Sequence, residues 1–266
     1  MHSTKLFGPK MYYLAVIIGL LIIYTVMVNN LNTIHPLERK IKAKSPSITL
    51  TNISRQHKNI NELVPLNHTT ILQRRISSCY QFPDDSSGSL LADISNAKLK
   101  PSDRRSIFFL MTSCSWKGKI ALKARQVCAV ESAAYHNPNR TIFILFASPV
   151  DLLTNTQSET LAVLQSYKNI HIQNINLDTF VEGTLAEDFY RSGKLFASKT
   201  LIEHMSDFLR LLVLYKYGGI YLDTDVVVQK NLDELPANFL GKEAYEGKKV
   251  DGVNNAVMGF QVFFFP

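Results

Sequence analysis

Apolar positions fall into two regimes along this chain. Met11–Val28 (MYYLAVIIGLLIIYTVMV) is a continuous apolar run without a charge. At about 1.5 Å rise per residue such a run just spans a bilayer core. Tyr12, Tyr13 and Tyr24 lie near its ends, where aromatic rings favour the interface. No small-residue cleavage site follows it, so it reads as an uncleaved anchor rather than a signal peptide. From Asn29 to Arg104 the sequence turns polar and loses periodicity. It carries Pro36, Pro46, Pro65, Pro83, Pro101 and the Ser86–Ser89 stretch, the composition of a flexible stem whose later part packs on the domain.

After Arg105 short apolar runs alternate with amphipathic ones. Ser106–Thr112, Thr141–Ala147 and Ile170–Ile175 read as buried strands, Ala121–Tyr135 and Glu159–Tyr167 as helices. Leu201–Tyr217 is an amphipathic helix stopped by Gly218-Gly219, and Ile220–Val228 a fourth strand with Asp223 and Asp225 near its middle. Strands alternating with helices predict an α/β fold, a mostly parallel sheet with flanking helices and a ligand at the carboxyl ends of its strands. The organisation expected is a cytoplasmic tail over 1–10, an anchor over 11–28, a lumenal stem over 29–104 and a domain over 105–266.

Charge changes the picture little. The formal net charge of +7 and pI near 9.2 raise a nucleic-acid reading. The basic residues are scattered, however, and no zinc-ligand spacing accompanies them, so the expectation is no nucleic-acid partner. Lys5 and Lys10 before the anchor are matched by Arg39, Lys40, Lys42 and Lys44 after it, so charge does not orient the chain. The sequons Asn52-Ile53-Ser54, Asn67-His68-Thr69 and Asn139-Arg140-Thr141 all follow the anchor and favour a lumenal body. Cys79, Cys114 and Cys128 form no C-x-x-C pair, and their odd number leaves at least one thiol without an intramolecular partner. A Cys114–Cys128 bridge and two buried free thiols are the readings that remain.

The chemistry concentrates in Ser206–Val228 (SDFLRLLVLYKYGGIYLDTDVVV). Asp207 and Arg210 share a helix face. Asp223 and Asp225 would share a strand face, both able to reach one hard cation such as Mn²⁺ or Mg²⁺ with diphosphate oxygens completing its shell. Solvated loop acids are the bland alternative, but these two interrupt an apolar run, where unpartnered carboxylates repel each other and are costly to desolvate. An EF-hand is excluded by Val226, Val227 and Val228, and a dinucleotide site by the missing G-x-G-x-x-G. A haloacid-dehalogenase-type phosphatase fits Asp223-Thr224-Asp225-Val226-Val227 but needs that strand first, with its lysine and later acids far downstream.

These residues resemble the DXD signature of family 32 glycosyltransferases, and more closely the α1,4-galactosyltransferases of the lactosylceramide type. Ile107-Phe108-Phe109-Leu110, Cys128-Ala129-Val130-Glu131-Ser132-Ala133-Ala134 and Asn254-Asn255-Ala256 add to the likeness, which covers Ser106 to Gln261. The resemblance implies a GT-A fold, Mn²⁺ or Mg²⁺, a UDP-galactose or UDP-N-acetylgalactosamine donor, a glycolipid acceptor, retention of configuration, and a single-pass type II protein of the Golgi membrane. By the same resemblance Asp223 and Asp225 hold metal and diphosphate, and Ser206, Asp207, Arg210, Gly218, Gly219 and Tyr221 line the donor site. Asn254 and Asn255 face the sugar or acceptor, or are turn residues. No catalytic residue is assigned. Met111 stands where the family carries a Glu, and the chain ends at Pro266 before the family's W-G-x-x-G-P region, which reads as truncation at the carboxyl end. A hexosyltransferase and a non-catalytic partner protein with a partial GT-A domain are the two functional expectations.

Overall fold

A computed structural model describes residues 78–83, 88–102, 105–152, 158–245 and 248–262, all within the compact unit Lys58–Pro266. The anchor expected at Met11–Val28, most of the stem, and the sequons at Asn52 and Asn67 lie outside the described residues. Among the described residues no helix is long and apolar enough to cross a membrane.

The elements run β1 (Ser106–Met111), α1 (Ala124–His136), β2 (Thr141–Phe146), α2 (Glu159–Gln165), β3 (Ile170–Asn174), α3 (Leu177–Phe180), α4 (Glu187–Arg191), α5 (Leu201–Tyr217), β4 (Gly219–Leu222), β5 (Phe239–Tyr245) and β6 (Lys248–Phe260). They build one six-stranded sheet in the order β3-β2-β1-β4-β6-β5. The first four strands are parallel, and β6 and β5 close one side antiparallel. It is a mixed α/β sheet with flanking helices, as the alternating pattern predicts.

The period-two alternation of β1 and β2 sorts the core into two layers. Ile107, Phe109, Met111, Ile142, Ile144 and Phe146 face Val127, Val130 and Ala133 of α1 and Leu164 of α2. Phe108, Leu110, Phe143 and Leu145 face Phe208, Leu209, Leu212 and Val213 of α5. Both strands are thus buried on both faces, which is why they read as unbroken apolar runs. Met111 is one of these packing residues, its side chain committed to the α1 layer.

Two expectations need correction. The strand expected over Ile220–Val228 ends at Leu222. Asp223 then accepts at its carbonyl from the Val226 amide at 3.0 Å, closing a turn, and Val226 and Val228 pack toward α1 instead of extending the strand. Apolar content alone does not separate a strand from an extended segment packed against a helix. The later part of the segment read as stem packs on the domain. Tyr80, Ile94 and Ala97 are core residues, and Leu90 and Asp93 bridge to Asp151 and Asn174.

The second correction concerns the cysteines. Cys114 pairs with Cys79, not with Cys128, at a Cα–Cα distance of 5.7 Å. Cys128 is exposed on α1 and free, so neither a Cys114–Cys128 bridge nor a buried thiol pair forms. The Tyr80 hydroxyl donates to the Thr112 carbonyl at 2.6 Å beside the bridge. Together they tie the segment before β1 to the loop after it. Closing a loop of 35 residues stabilises by about 2–4 kcal/mol. Reduction, or Cys79→Ser, is expected to lower the melting temperature by roughly 5–15 °C, at about 2–4 °C per kcal/mol, whereas Cys128→Ser leaves it within about 1 °C. A thermal melt of the three variants reads both.

Candidate donor-binding site

The sheet brings the chemistry together at the carboxyl end of β4. That strand begins just after α5 because the chain reverses through Gly218 and Gly219, at φ 62° and 93°. A Cβ at Gly219 would lie 2.5 Å from the Ser106 carbonyl oxygen, so only glycine lets β4 approach β1 there. Gly219 opens β4 and Asp223 follows its last residue, so both glycines lie at the end away from the carboxylates. They position the site rather than line it. The reversal sends α5 antiparallel to β4 and lays its Ser206–Arg210 turn alongside Tyr221 and Asp223.

Arg210 is the hub. It is 6% exposed and uses its whole planar fork of donors. Its Nη1 donates to the Asn255 carbonyl and to Asn255 Oδ1, both at 3.0 Å, and lies 3.2 Å from Asp223 Oδ1. Its Nη2 donates to Ser206 Oγ at 2.8 Å and lies 3.4 Å from Asp207 Oδ1. Its Nε donates to the Ser206 carbonyl at 3.2 Å, and the guanidinium sits 4.7 Å from the centre of the Tyr221 ring. Asn255 closes the circuit by donating Nδ2 to Asp207 Oδ1 at 3.1 Å.

Asp223 is held tightly. The Tyr221 hydroxyl donates to its Oδ1 at 2.5 Å, and its own amide donates to the Ala256 carbonyl at 2.8 Å, extending the β4–β6 pairing by one residue. Burial pushes the Asp223 carboxyl above its ordinary range. The Tyr221 hydrogen bond and Arg210 pull it back, while Asp225 and Asp207 push it further up. Burial likewise raises the Tyr221 phenol. Asp225, two residues on, is exposed and makes no hydrogen bond or ion pair to the described residues. One carboxylate is anchored and half-buried, the next is presented to solvent.

The structure thus gathers Ser206, Asp207, Arg210, Tyr221 and Asp223 into one network with Asp225 at its mouth. Asn255 joins it as a brace between β6 and α5, and Asn254 turns its Oδ1 onto the Ala256 amide at 2.6 Å. Neither is a turn residue, since both lie inside β6. Two further participants reach in from α1: Gln126, which no motif marks, and Ser132, from within the Cys128–Ala134 motif. Gln126 Nε2 donates to Thr224 Oγ1 at 3.3 Å, and Ser132 Oγ accepts from the Val228 amide at 2.9 Å. Both reach from α1 across more than ninety residues, beyond any short motif.

Asp223 and Asp225 offer hard oxygen donors suited to Mn²⁺ or Mg²⁺. A cation between them would offset the burial and repulsion that disfavour the charged Asp223, so the residues fit such an ion. Among the described residues no group of three His, Cys, Asp or Glu is assembled to hold a metal. A diphosphate would offer further oxygen donors to an ion held there.

Residues 123–240 match the family described as glycosyltransferase sugar-binding region containing DXD motif. The match encloses Gln126, the α5 residues and the Asp223–Asp225 turn. The chain is 33% identical over 136 residues to lactosylceramide 4-alpha-galactosyltransferase of Rattus norvegicus, covering 51% of this chain and 36% of that protein. It is 28% identical over 162 residues to alpha-1,4-N-acetylglucosaminyltransferase of Homo sapiens, covering 60% and 44%. The chain thus spans between a third and a half of the length of these relatives. Among solved structures, one described as PaToxG glycosyltransferase aligns at a TM-score of 0.46 and 18% identity, over 73% of this chain and 66% of that one.

Proposed function

We propose that the chain is a GT-A hexosyltransferase. In this reading it moves galactose or N-acetylgalactosamine from a UDP-sugar to a glycolipid acceptor, with retention and an α1,4-type linkage. The observation that carries the reading is the pairing of a braced Asp223 with a free Asp225 at the carboxyl end of β4. Such an arrangement is costly for a protein to keep unless a cation and an anionic ligand complete it. A bound divalent cation would neutralise charge on the departing diphosphate. The protein's own part is preorganisation. Arg210 and Tyr221 fix Asp223 in one direction before any ligand arrives, so little reorganisation remains for the bound state. The relatives named as acting on lactosylceramide support the acceptor class, and the sequence signature supports the donor.

The test is binding of UDP by the full chain in nanodiscs, titrated with Mn²⁺, Mg²⁺ or EDTA. Binding that requires the divalent ion, followed by galactose or N-acetylgalactosamine transfer to a glycolipid, is the expected result. A folded sample that ignores UDP under all three conditions rejects the reading, and binding without transfer identifies the non-catalytic partner protein.

The proposed setting is the Golgi membrane, with the domain lumenal. Asn139 is exposed in the turn between α1 and β2, where the Arg140 amide donates to the Asn137 carbonyl at 3.0 Å. Expression in a eukaryotic secretory host with Asn52, Asn67 and Asn139 changed to Gln one at a time is expected to lower the glycosidase-sensitive mass stepwise. A chain that carries no glycan at any of the three loses the lumenal orientation.

A further inference from the structure

We infer that Gln126 is a positioning residue for the proposed donor site, acting through Thr224 to set the direction of Asp225. The inference rests on the reading of Asp223 and Asp225 as the cation-binding pair and adds the means by which the second of them is aimed.

The two carboxylates are controlled very differently. Asp223 is fixed through its own side chain by Tyr221 and Arg210. Asp225 is exposed, with no hydrogen bond or ion pair to the described residues, so the backbone that carries it sets its direction. That backbone is the Asp223–Val226 turn, closed by one amide–carbonyl bond of 3.0 Å. The turn is held from the α5 and β6 side at Asp223. From the opposite side it is held by α1, through Gln126 Nε2 on Thr224 Oγ1 at 3.3 Å and then Ser132 Oγ on the Val228 amide at 2.9 Å. Thr224 lies between the two carboxylates, so a rotation of the turn that freed it would swing Asp225 while leaving Asp223 in place.

Gln126 is itself preset for this role. Its Oε1 accepts from the Lys123 amide at 2.9 Å, at the start of α1. That bond fixes the amide group so that its NH₂ end points outward to Thr224. The neighbouring Val127 is buried in the core, so the helix start on which Gln126 stands cannot drift. A single side-chain amide thus links a helix cap to the middle residue of the D-x-D turn. Partners hydrogen-bonded directly to a metal-ligating side chain commonly change metal affinity by about 10–100-fold when removed, and Gln126 and Thr224 act one step further out, on the backbone beside Asp225, so the low end of that range is expected.

The test is the Mn²⁺ concentration needed for half-maximal UDP binding by the full chain in nanodiscs, measured for Thr224→Val, Gln126→Leu, their double variant and Thr224→Ser. Thr224→Val removes the hydroxyl at nearly constant volume and leaves the α1 cap intact, so it is the cleaner arm. The expected result is a rise of about tenfold in that concentration for each single variant. The double variant should be no worse than either single, because both remove the same contact. Thr224→Ser keeps the hydroxyl and the unmodified affinity. Thr224→Val should keep its melting temperature within about 2 °C, which separates aiming from simple loss of structure. Unchanged Mn²⁺ requirements in both single variants, or strictly additive effects in the double, overturn the inference. Failure of the donor-site reading looks different, since the unmutated chain itself would then show no Mn²⁺-dependent UDP binding.

Discussion

Asp225→Asn is expected to weaken Mn²⁺-dependent UDP binding by more than about 100-fold while leaving the melting temperature unchanged. Asp223→Asn causes the same loss of binding and raises the melting temperature of the metal-free protein. The difference follows from where the two carboxylates sit. Loss of a direct ligand should exceed the 10–100-fold effect of losing an outer partner. Asp225 contributes a charge and nothing else, for no described residue leans on it. Asp223 contributes a charge the empty fold does not want, because burial and two neighbouring carboxylates outweigh Tyr221 and Arg210 and raise its pKa. The folded state therefore binds this proton more readily than the unfolded chain does. The stability this confers is complete in acid and is lost as pH rises through the folded pKa. Asn keeps the shape and an acceptor oxygen for Tyr221 and Arg210 without the charge. In EDTA its stabilising effect should be plain at neutral pH and vanish in acid, where wild-type Asp223 is protonated in both states. A functional residue that costs the empty fold stability is expected where a ligand supplies the balance. A lower melting temperature for Asp223→Asn at neutral pH would show that its pairing with Arg210 outweighs its burial.

Legibility in the sequence followed the range of the interactions. β1, β2 and α5 were plain because their signals are local: unbroken apolar runs for strands buried on both faces, and a 3.6-residue stripe closed by two glycines. The D-x-D pair was legible as chemistry but misplaced as structure. Val226 and Val228 carry the same apolar signal whether they extend β4 or rest on α1, and only the turn bond at Asp223 decides between them. Gly218 and Gly219 lie at the end of β4 away from Asp223, and their effect on the site passes through the approach of β4 to β1. Cys79 lies inside a segment read as stem, so the readings open for Cys114 were a bridge to Cys128 or a free thiol, and its true partner was not among them. Gln126 had no signature, and the motifs that hold Ser132 and Asn255 gave no sign of the contacts these two make. Each meets its partner across 45 to 98 residues, and nothing local marks a polar side chain for such a contact.

Arg210→Ala should produce the largest loss of stability of any single substitution at the site, about 3–5 kcal/mol. On a domain of this size that is a fall of roughly 6–20 °C in melting temperature. The reason is less the bonds removed than the groups left behind. Asp207 and Asp223 would face each other and Asp225 without a cation, and Asn255 and Ser206 would lose the donor that joins them. Tyr221 would also lose the guanidinium over its ring. Arg210→Lys is not a conservative change here. An ammonium keeps the charge but offers three donors from a point, against a fork that reaches Asn255 with one nitrogen and Ser206 with another. Its stability is expected to fall between wild type and Arg210→Ala, and its Mn²⁺-dependent UDP affinity by about tenfold, because Asp223 is no longer aimed. The decisive comparison is Arg210→Met with Asp223→Asn in one chain. Removing both charges should recover much of the stability that Arg210→Met alone loses, since the uncompensated carboxylate is then gone. Ion binding should not return. Recovery of neither would mean that Arg210 stabilises the fold through its hydrogen bonds to Asn255 and Ser206 rather than by matching the charge of Asp223.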